Sequence, residues 1–281
     1  MQEARSKRQD TRSKKNFSLS SNFWFLTSNL LLLSLSVAAY QRNLVWRDGI
    51  KLWEDTVKKS QNAARPHFNL ASSYKETGQI QEAIREYKTA VKIRPWFVEA
   101  HNNLGDIYYN IGQVDDAIFE YKTAIRIRPD FEKAHNNLGN AYYMQGRIKE
   151  AMQEYETSLR LKPDFEGSYI NIGVAYKDQG RLNEAIDAFN KALKLKPDLA
   201  QAYYGLGNVY YLQGRPEKAI QAYSYALKLN NKLAGAHNNL GLVYESLGQI
   251  DEAIREYKEA LRLKPEFIDA RNNLFRITNG R

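Results

Sequence analysis

Val98-Glu-Ala-His-Asn-Asn-Leu-Gly105-Asp-Ile-Tyr-Tyr-Asn-Ile-Gly112-Gln-Val-Asp-Asp-Ala117-Ile-Phe-Glu-Tyr121-Lys-Thr-Ala124-Ile-Arg-Ile-Arg-Pro129-Asp-Phe131 runs directly into Glu132-Lys-Ala-His-Asn-Asn-Leu-Gly139, and the match continues with a step of 34 residues. Glycines at 78, 112, 146, 180, 214 and 248 keep that step, as do prolines at 95, 129, 163, 197 and 265. A period of this length is one helix–turn–helix unit per repeat. The chain therefore reads as a stack of helix pairs without a single closed core, and its function belongs on a surface.

Counting from Ala64 gives six full units, 64–97, 98–131, 132–165, 166–199, 200–233 and 234–267. The eighth place is always small (Ala71, Gly105, Gly139, Gly173, Gly207, Gly241), as is the twentieth (Ala83 to Ala253), and the twenty-seventh is Ala except for Ser158. Large residues alternate with them, among them the rings at Tyr87, Tyr121, Tyr155, Phe189, Tyr223 and Tyr257. Small residues let antiparallel helices approach, and large ones fill the grooves between. The periodic glycine ends each first helix in a left-handed conformation, and the proline ends each second helix. Asn231 replaces the proline in the fifth unit.

These small, large and turn positions resemble the tetratricopeptide repeat over about residues 44–281. The resemblance implies an all-α, right-handed superhelical solenoid of about six repeats with half-repeat caps at 44–63 and 268–281. It places the second, fifth, sixth, ninth, twelfth and thirteenth positions of each first helix on an inner, concave face.

The N-terminal part is of another kind. Residues 1–16 form a basic arm carrying +4 of the chain's net +9, and the remaining +5 is spread over mixed-sign helices, which argues against a nucleic-acid-binding stripe. Residues 17–40 contain no charge and hold Phe23-Trp-Phe-Leu followed by a leucine run. They read as a hydrophobic transmembrane helix, a single-pass anchor, with Trp24, Tyr40 and Trp46 as interfacial residues. A cleaved signal peptide ending near Ala38 or Ala39 is the alternative, which would make the product a soluble exported repeat protein. The excess of Lys and Arg before this segment points to repeats on the extracytoplasmic side. The absence of cysteine excludes disulfides and thiolate chemistry.

Candidate binding residues follow from the register. The sixth place is Asn69, Asn103, Asn137, Asn171, Gly205, Asn239 and Asn273. Asparagine is a poor helix-interior residue whose amide can donate to and accept from a peptide backbone. The row resembles the asparagine ladder of the repeat domain of O-linked N-acetylglucosamine transferase, and that likeness implies a grip on an extended polypeptide. The alternative is that the amides cap turns or bridge adjacent helices. Groove aromatics Tyr109, Tyr143, Tyr204 and Tyr211 would add contact area. Arg65, Asn69, Asn103 and Lys133 resemble part of the carboxylate clamp of chaperone-binding repeat proteins, although Asn137 stands where that clamp uses arginine. His67, His101, His135 and His237 share the fourth place with Tyr169 and Tyr203, one repeat apart, too far for a common metal, and read as packing or capping residues.

No nucleophile–base pair, P-loop or metal set appears, so the expectation is a protein that is not an enzyme and uses no cofactor. The stretch from Ala39 to Ser60 resembles the junction between the last membrane helix and the repeats of multi-spanning membrane glycosyltransferases. That likeness implies the acceptor-binding module, a subunit or a fragment of a transferase of the O-mannosyl or O-GlcNAc type, without the catalytic domain. The leading expectation is a non-catalytic, membrane-anchored scaffold holding a protein or extended peptide in its concave groove.

Overall fold

The computed structural model describes residues 49–279. The basic arm 1–16, the apolar segment 17–40 and the start of the 44–63 half-repeat lie outside the described residues, as does the end of the 268–281 cap. Among the described residues there are fourteen α-helices and no strand. No helix among them is long and apolar enough to cross a membrane.

The chain divides into two compact units between Pro95 and Trp96. The first holds α1 (Gly49–Lys59), α2 (Ala64–Glu76) and α3 (Ile80–Ile93). The second holds α4 (Val98–Asn110), α5 (Val114–Ile127), α6 (Glu132–Met144), α7 (Ile148–Leu161), α8 (Glu166–Asp178), α9 (Leu182–Leu195), α10 (Ala200–Leu212), α11 (Pro216–Leu229), α12 (Ala234–Ser246), α13 (Ile250–Leu263) and α14 (Ile268–Asn279). From α2 onward, even-numbered helices are the first, or A, helices of the repeats, and odd-numbered ones are the second, or B, helices.

Inside the second unit each A helix packs on its own B helix, and each B helix packs on the next A helix. The joint is made by the ring at the twenty-fourth place. Tyr121, Tyr155, Phe189, Tyr223 and Tyr257 are fully buried, and each lies flat on the eighth-place glycine of its own A helix. A Cβ added at Gly139 would meet Tyr155 Cε1 at 2.5 Å, and one at Gly105 would meet Tyr121 Cε1 at 2.7 Å. The small residue thus admits a ring. Burying a large apolar side chain contributes about 1.5–3 kcal/mol, so this single pairing, repeated, is a main source of cohesion.

The turn glycines have φ between 66° and 80°, the left-handed region. At Gly146 this reversal lets the Arg147 N–H donate to the Tyr142 carbonyl at 2.9 Å, closing α6. The missing proline at Asn231 has no effect on helix length, since α11 spans 14 residues like its counterparts. Asn230 takes over: its side-chain oxygen accepts the Lys232 N–H at 3.0 Å, an Asx turn that stops the helix locally.

In the first unit, α1 lies against α2. Tyr74 donates its hydroxyl to Glu54 at 2.8 Å, and burial together with that carboxylate pushes its pKa up to about 12. This helix is the described part of the expected N-terminal half-repeat. At the other end α14 leaves Phe275 exposed at the eighth place, where no second helix follows within the described residues.

Candidate functional site: the face of the A helices

The sixth-place asparagines of the second unit stand half-buried on the A helices, and the amides of Asn137, Asn171, Asn239 and Asn273 point at the preceding repeat. Asn137 donates to Asn102 Oδ1 at 3.2 Å and to Asp106 Oδ1 at 2.9 Å. Asn239 donates to the Tyr204 hydroxyl at 3.2 Å and to Asn208 Oδ1 at 2.8 Å. Asn171 donates to Asn136 Oδ1 at 2.9 Å, and Asn273 to Asn238 Oδ1 at 3.1 Å. An asparagine has two N–H donors. Asn137 and Asn239 spend both on the preceding repeat, and their side-chain oxygens accept from Asn136 at 3.3 Å and Asn238 at 3.1 Å, so one lone pair on each oxygen is what remains for a bound peptide.

Three sets of residues absent from the sequence-based expectation complete this network. The fifth-place asparagines Asn102, Asn136 and Asn238 are buried and serve as acceptors. The ninth-place acceptor is the second node: Asp106 Oδ1 also accepts from the Tyr121 hydroxyl at 2.9 Å, and Asn208 Oδ1 from Tyr223 at 2.8 Å. Burial and then Asp106 raise the Tyr121 pKa, so the phenol remains a donor. Ser168 joins at the third place, its hydroxyl 3.0 Å from both Asn136 Oδ1 and Ser158 Oγ.

The network is interrupted between the fourth and fifth repeats, and the interruption has a steric cause. Val174 occupies the ninth place, where Asp106, Asn140 and Asn208 accept a tyrosine hydroxyl. Phe189 stands where the other repeats have that tyrosine. Its ring presses on the next A helix, where a Cβ on residue 205 would meet Phe189 Cε1 at 2.5 Å and Cε2 at 2.9 Å. Asparagine cannot occupy position 205 without moving a fully buried ring. This joint is apolar, and its neighbours are bridged by amides.

The other expected site residues are placed as follows. Tyr109 and Tyr143 are half-buried, Tyr211 is exposed, and the three share the twelfth place of α4, α6 and α10. Tyr143 donates to Asp178 of the next repeat. Burial raises the Asp178 pKa and lowers that of Lys177, whose ammonium lies 2.7 Å from the Asp178 carboxylate. Tyr204 belongs to the inter-repeat network as an acceptor of Asn239. Arg65 and Asn69 lie in the first compact unit, with Arg65 over the Phe68 ring at 5.8 Å, whereas Asn103 and an exposed Lys133 lie in the second.

Each histidine is paired with a glutamate of its own repeat. His67, His101, His135 and His237 each place Nδ1 2.6 Å from the twenty-third-place glutamate, respectively Glu86, Glu120, Glu154 and Glu256. His67 Nε2 also faces the Gln61 carbonyl, and His135 Nε2 the Pro129 carbonyl, each at 3.0 Å. For His135, burial works against the charge, but the bonds to Glu154 and Pro129 outweigh it and the pKa lies above the usual 6.5. Among the described residues no cluster of His, Asp and Glu could hold a metal ion.

Solved structures share this architecture. A chain of the APC/C hetero-tetramer Cut9–Hcn1 superposes with a TM-score of 0.74 over 80% of this chain at 24% identity, and this chain covers 45% of that one. A thermophilic repeat protein of Thermus thermophilus gives 0.58 over 64% of this chain and 98% of its own, at 24% identity. A tetratricopeptide repeat protein of Parabacteroides merdae gives 0.70 over 82% of this chain and 91% of its own, at 17% identity. At these identities the likeness shows the fold alone. No curated protein sequence matches the chain. Residues 71–112 match a tetratricopeptide-repeat model and residues 95–280 the model described as the cilia and flagella-associated protein 70 C-terminal domain, and it is to this family of tetratricopeptide-repeat proteins that the chain belongs.

Proposed function

We propose that the chain is a non-catalytic scaffold that holds a partner polypeptide along the A-helix face of its second unit. One observation carries the reading: Tyr109, Tyr143 and Tyr211 at the twelfth place border the asparagine row, in which Asn137 Oδ1 and Asn239 Oδ1 each accept one bond, from Asn136 and Asn238, and keep a second lone pair for a ligand. Backbone N–H groups of an extended segment have acceptors there, and its side chains have rings to lie on. Each hydrogen bond contributes about 1 kcal/mol net, against an association cost of about 4–15 kcal/mol, so the tyrosines supply the larger share.

Replacing Tyr109, Tyr143 and Tyr211 by alanine avoids the amides that join the repeats. The expected result is partner binding weakened at least tenfold at unchanged helicity. Unaltered binding would sink the reading.

Residues 17–40 serve in this proposal as a single-pass membrane anchor, with the repeats on the extracytoplasmic side. Their support is the uncharged run and its basic flank. Carbonate extraction of membranes tests it: a chain released with peripheral proteins, starting near Tyr40, would instead be the cleaved, exported form. The glycosyltransferase-module reading rests on residues 39–60, of which 39–48 lie outside the described residues, and no feature of the helices favours it.

A further inference from the structure

The fourth and twenty-third places change together. Four repeats carry His with Glu, whereas the fourth and fifth carry Tyr169 with Ala188 and Tyr203 with Ala222. The exchange removes a hydrogen-bonded His–Glu pair and shortens one side chain to a methyl group. Both tyrosine rings stay partly exposed, whereas His101 and His135 are buried.

A groove opens in each of these two repeats, on the side of the B helices, away from the asparagine row. The first, of about 390 Å³, has Tyr169, Ile172, Tyr176 and Ala188 as its floor and Glu156 and Asp187 at its rim. Among the described residues neither the Glu156 nor the Asp187 carboxylate makes an ion pair or side-chain hydrogen bond. The other charges there are committed: Glu184 pairs with Arg181, and Lys191 lies over the Tyr169 ring at 6.0 Å. The second groove, of about 290 Å³, is lined by Tyr203, Leu206, Tyr210, Ala222 and Tyr225, carries no carboxylate, and has Lys218 over Tyr210 at 5.7 Å. Tyr203 and Tyr225 stack with centroids 5.3 Å apart, and Tyr225 is 55% exposed.

We propose that this B-helix face of the fourth and fifth repeats is a second binding surface, taking one extended segment of a partner polypeptide. Charge complementarity sets its chemistry. A lysine or arginine enters the first groove, with its stem on Ile172 and Ala188 and its head at Asp187 and Glu156. An aromatic or large aliphatic side chain enters the second, against Tyr203 and Tyr225. Equivalent points of neighbouring repeats lie about 10 Å apart by helix-packing geometry. A segment extended as a polyproline-II helix rises about 3.1 Å per residue with three residues per turn, so residues three positions apart project to the same side about 9 Å apart and serve as the two anchors.

The sister repeats supply variants that close the grooves without foreign chemistry: Tyr169→His with Ala188→Glu, and Tyr203→His with Ala222→Glu. A phage-displayed library of random octapeptides is selected on the full chain, and recovered peptides are measured by fluorescence anisotropy. The expected result is enrichment of a basic residue three positions from an aromatic or large aliphatic one. Closing either groove should then weaken binding at least tenfold at unchanged helical signal, and alanine at Tyr109 and Tyr143 should leave it unchanged. Should a closed variant lose helical signal, Asp187→Asn and Tyr225→Ser provide the same test from exposed positions. The proposal is overturned by no such enrichment, by equal binding in the closed variants, by loss only with the Tyr109 and Tyr143 changes, or by a dimer in sedimentation that the closed variants abolish.

Discussion

Replacing Gly205 by alanine separates two effects of opposite sign. In an unobstructed helix interior alanine is favoured over glycine by about 1 kcal/mol, so a site chosen freely would gain stability. Here the new Cβ falls 2.5 Å from Phe189 Cε1 and 2.9 Å from Cε2, against a comfortable carbon–carbon separation of about 3.5–4.0 Å. The ring has nowhere to go, because it is fully buried in a cluster with Ala185, Ala192, Leu206 and Val209. Overpacking of this kind costs about 1–3 kcal/mol, and contact with a ring that cannot move belongs at the upper end. The net expectation is a loss of about 2 kcal/mol. Gly167 provides the control, since a Cβ there meets Phe165 at an ordinary 3.6 Å, and Gly167→Ala should be neutral or stabilising. Urea unfolding followed by circular dichroism, with hydrogen exchange of α9 and α10, gives the comparison. Because repeat arrays can unfold in segments, exchange is read alongside the midpoint. A higher midpoint for Gly205→Ala would refute the steric account of the interrupted row.

Three further outcomes follow from the same contacts. Asn137→Ala removes two donated bonds, one to a carboxylate, and should cost about 2 kcal/mol by urea titration; a cost below about 0.5 kcal/mol would mean that the amide does not join the repeats. Phe189→Tyr brings a hydroxyl against Val174 and Gly205 without an acceptor and should cost about 1–3 kcal/mol, whereas Tyr121→Phe should cost about 1 kcal/mol through loss of the Asp106 bond. For His135 the folded pKa is raised, so the stability it gives is fully present below about pH 6.5 and is lost as pH rises through the folded pKa. The stability difference between the parent and Glu154→Gln should therefore be largest below about pH 6.5 and shrink as pH rises above it, and a difference that grows with pH contradicts the imidazolium assignment.

Much of the fold is legible in the residues themselves because helix ends and helix crossings are local events. Gly146 must turn and Gly139 must accept a ring, and both demands recur every 34 residues. The direction of an amide is another matter. Asn137 shares its register with Asn171, yet its partners lie 35 and 31 residues upstream on another helix, and only the assembled stack shows that its donors are used. The His–Glu pairs were within reach: their spacing of 19 recurs four times, and Tyr169 with Ala188 and Tyr203 with Ala222 depart from it together. Gly205 looks like a gap in a row until Val174 and Phe189 are set beside it. Residues 17–40 lie outside the described helices, and their reading as an anchor stays where the apolar run places it.

Site-specific photo-crosslinking in native membranes tests the central claim most directly. A benzophenone amino acid is introduced at Tyr143 and Tyr211 on the A-helix face and, as a control, at Phe119, which is exposed on a B helix. The account predicts a discrete polypeptide adduct from positions 143 and 211 that is absent at 119. Adducts at 119 alone, or none at 143 and 211, would contradict it.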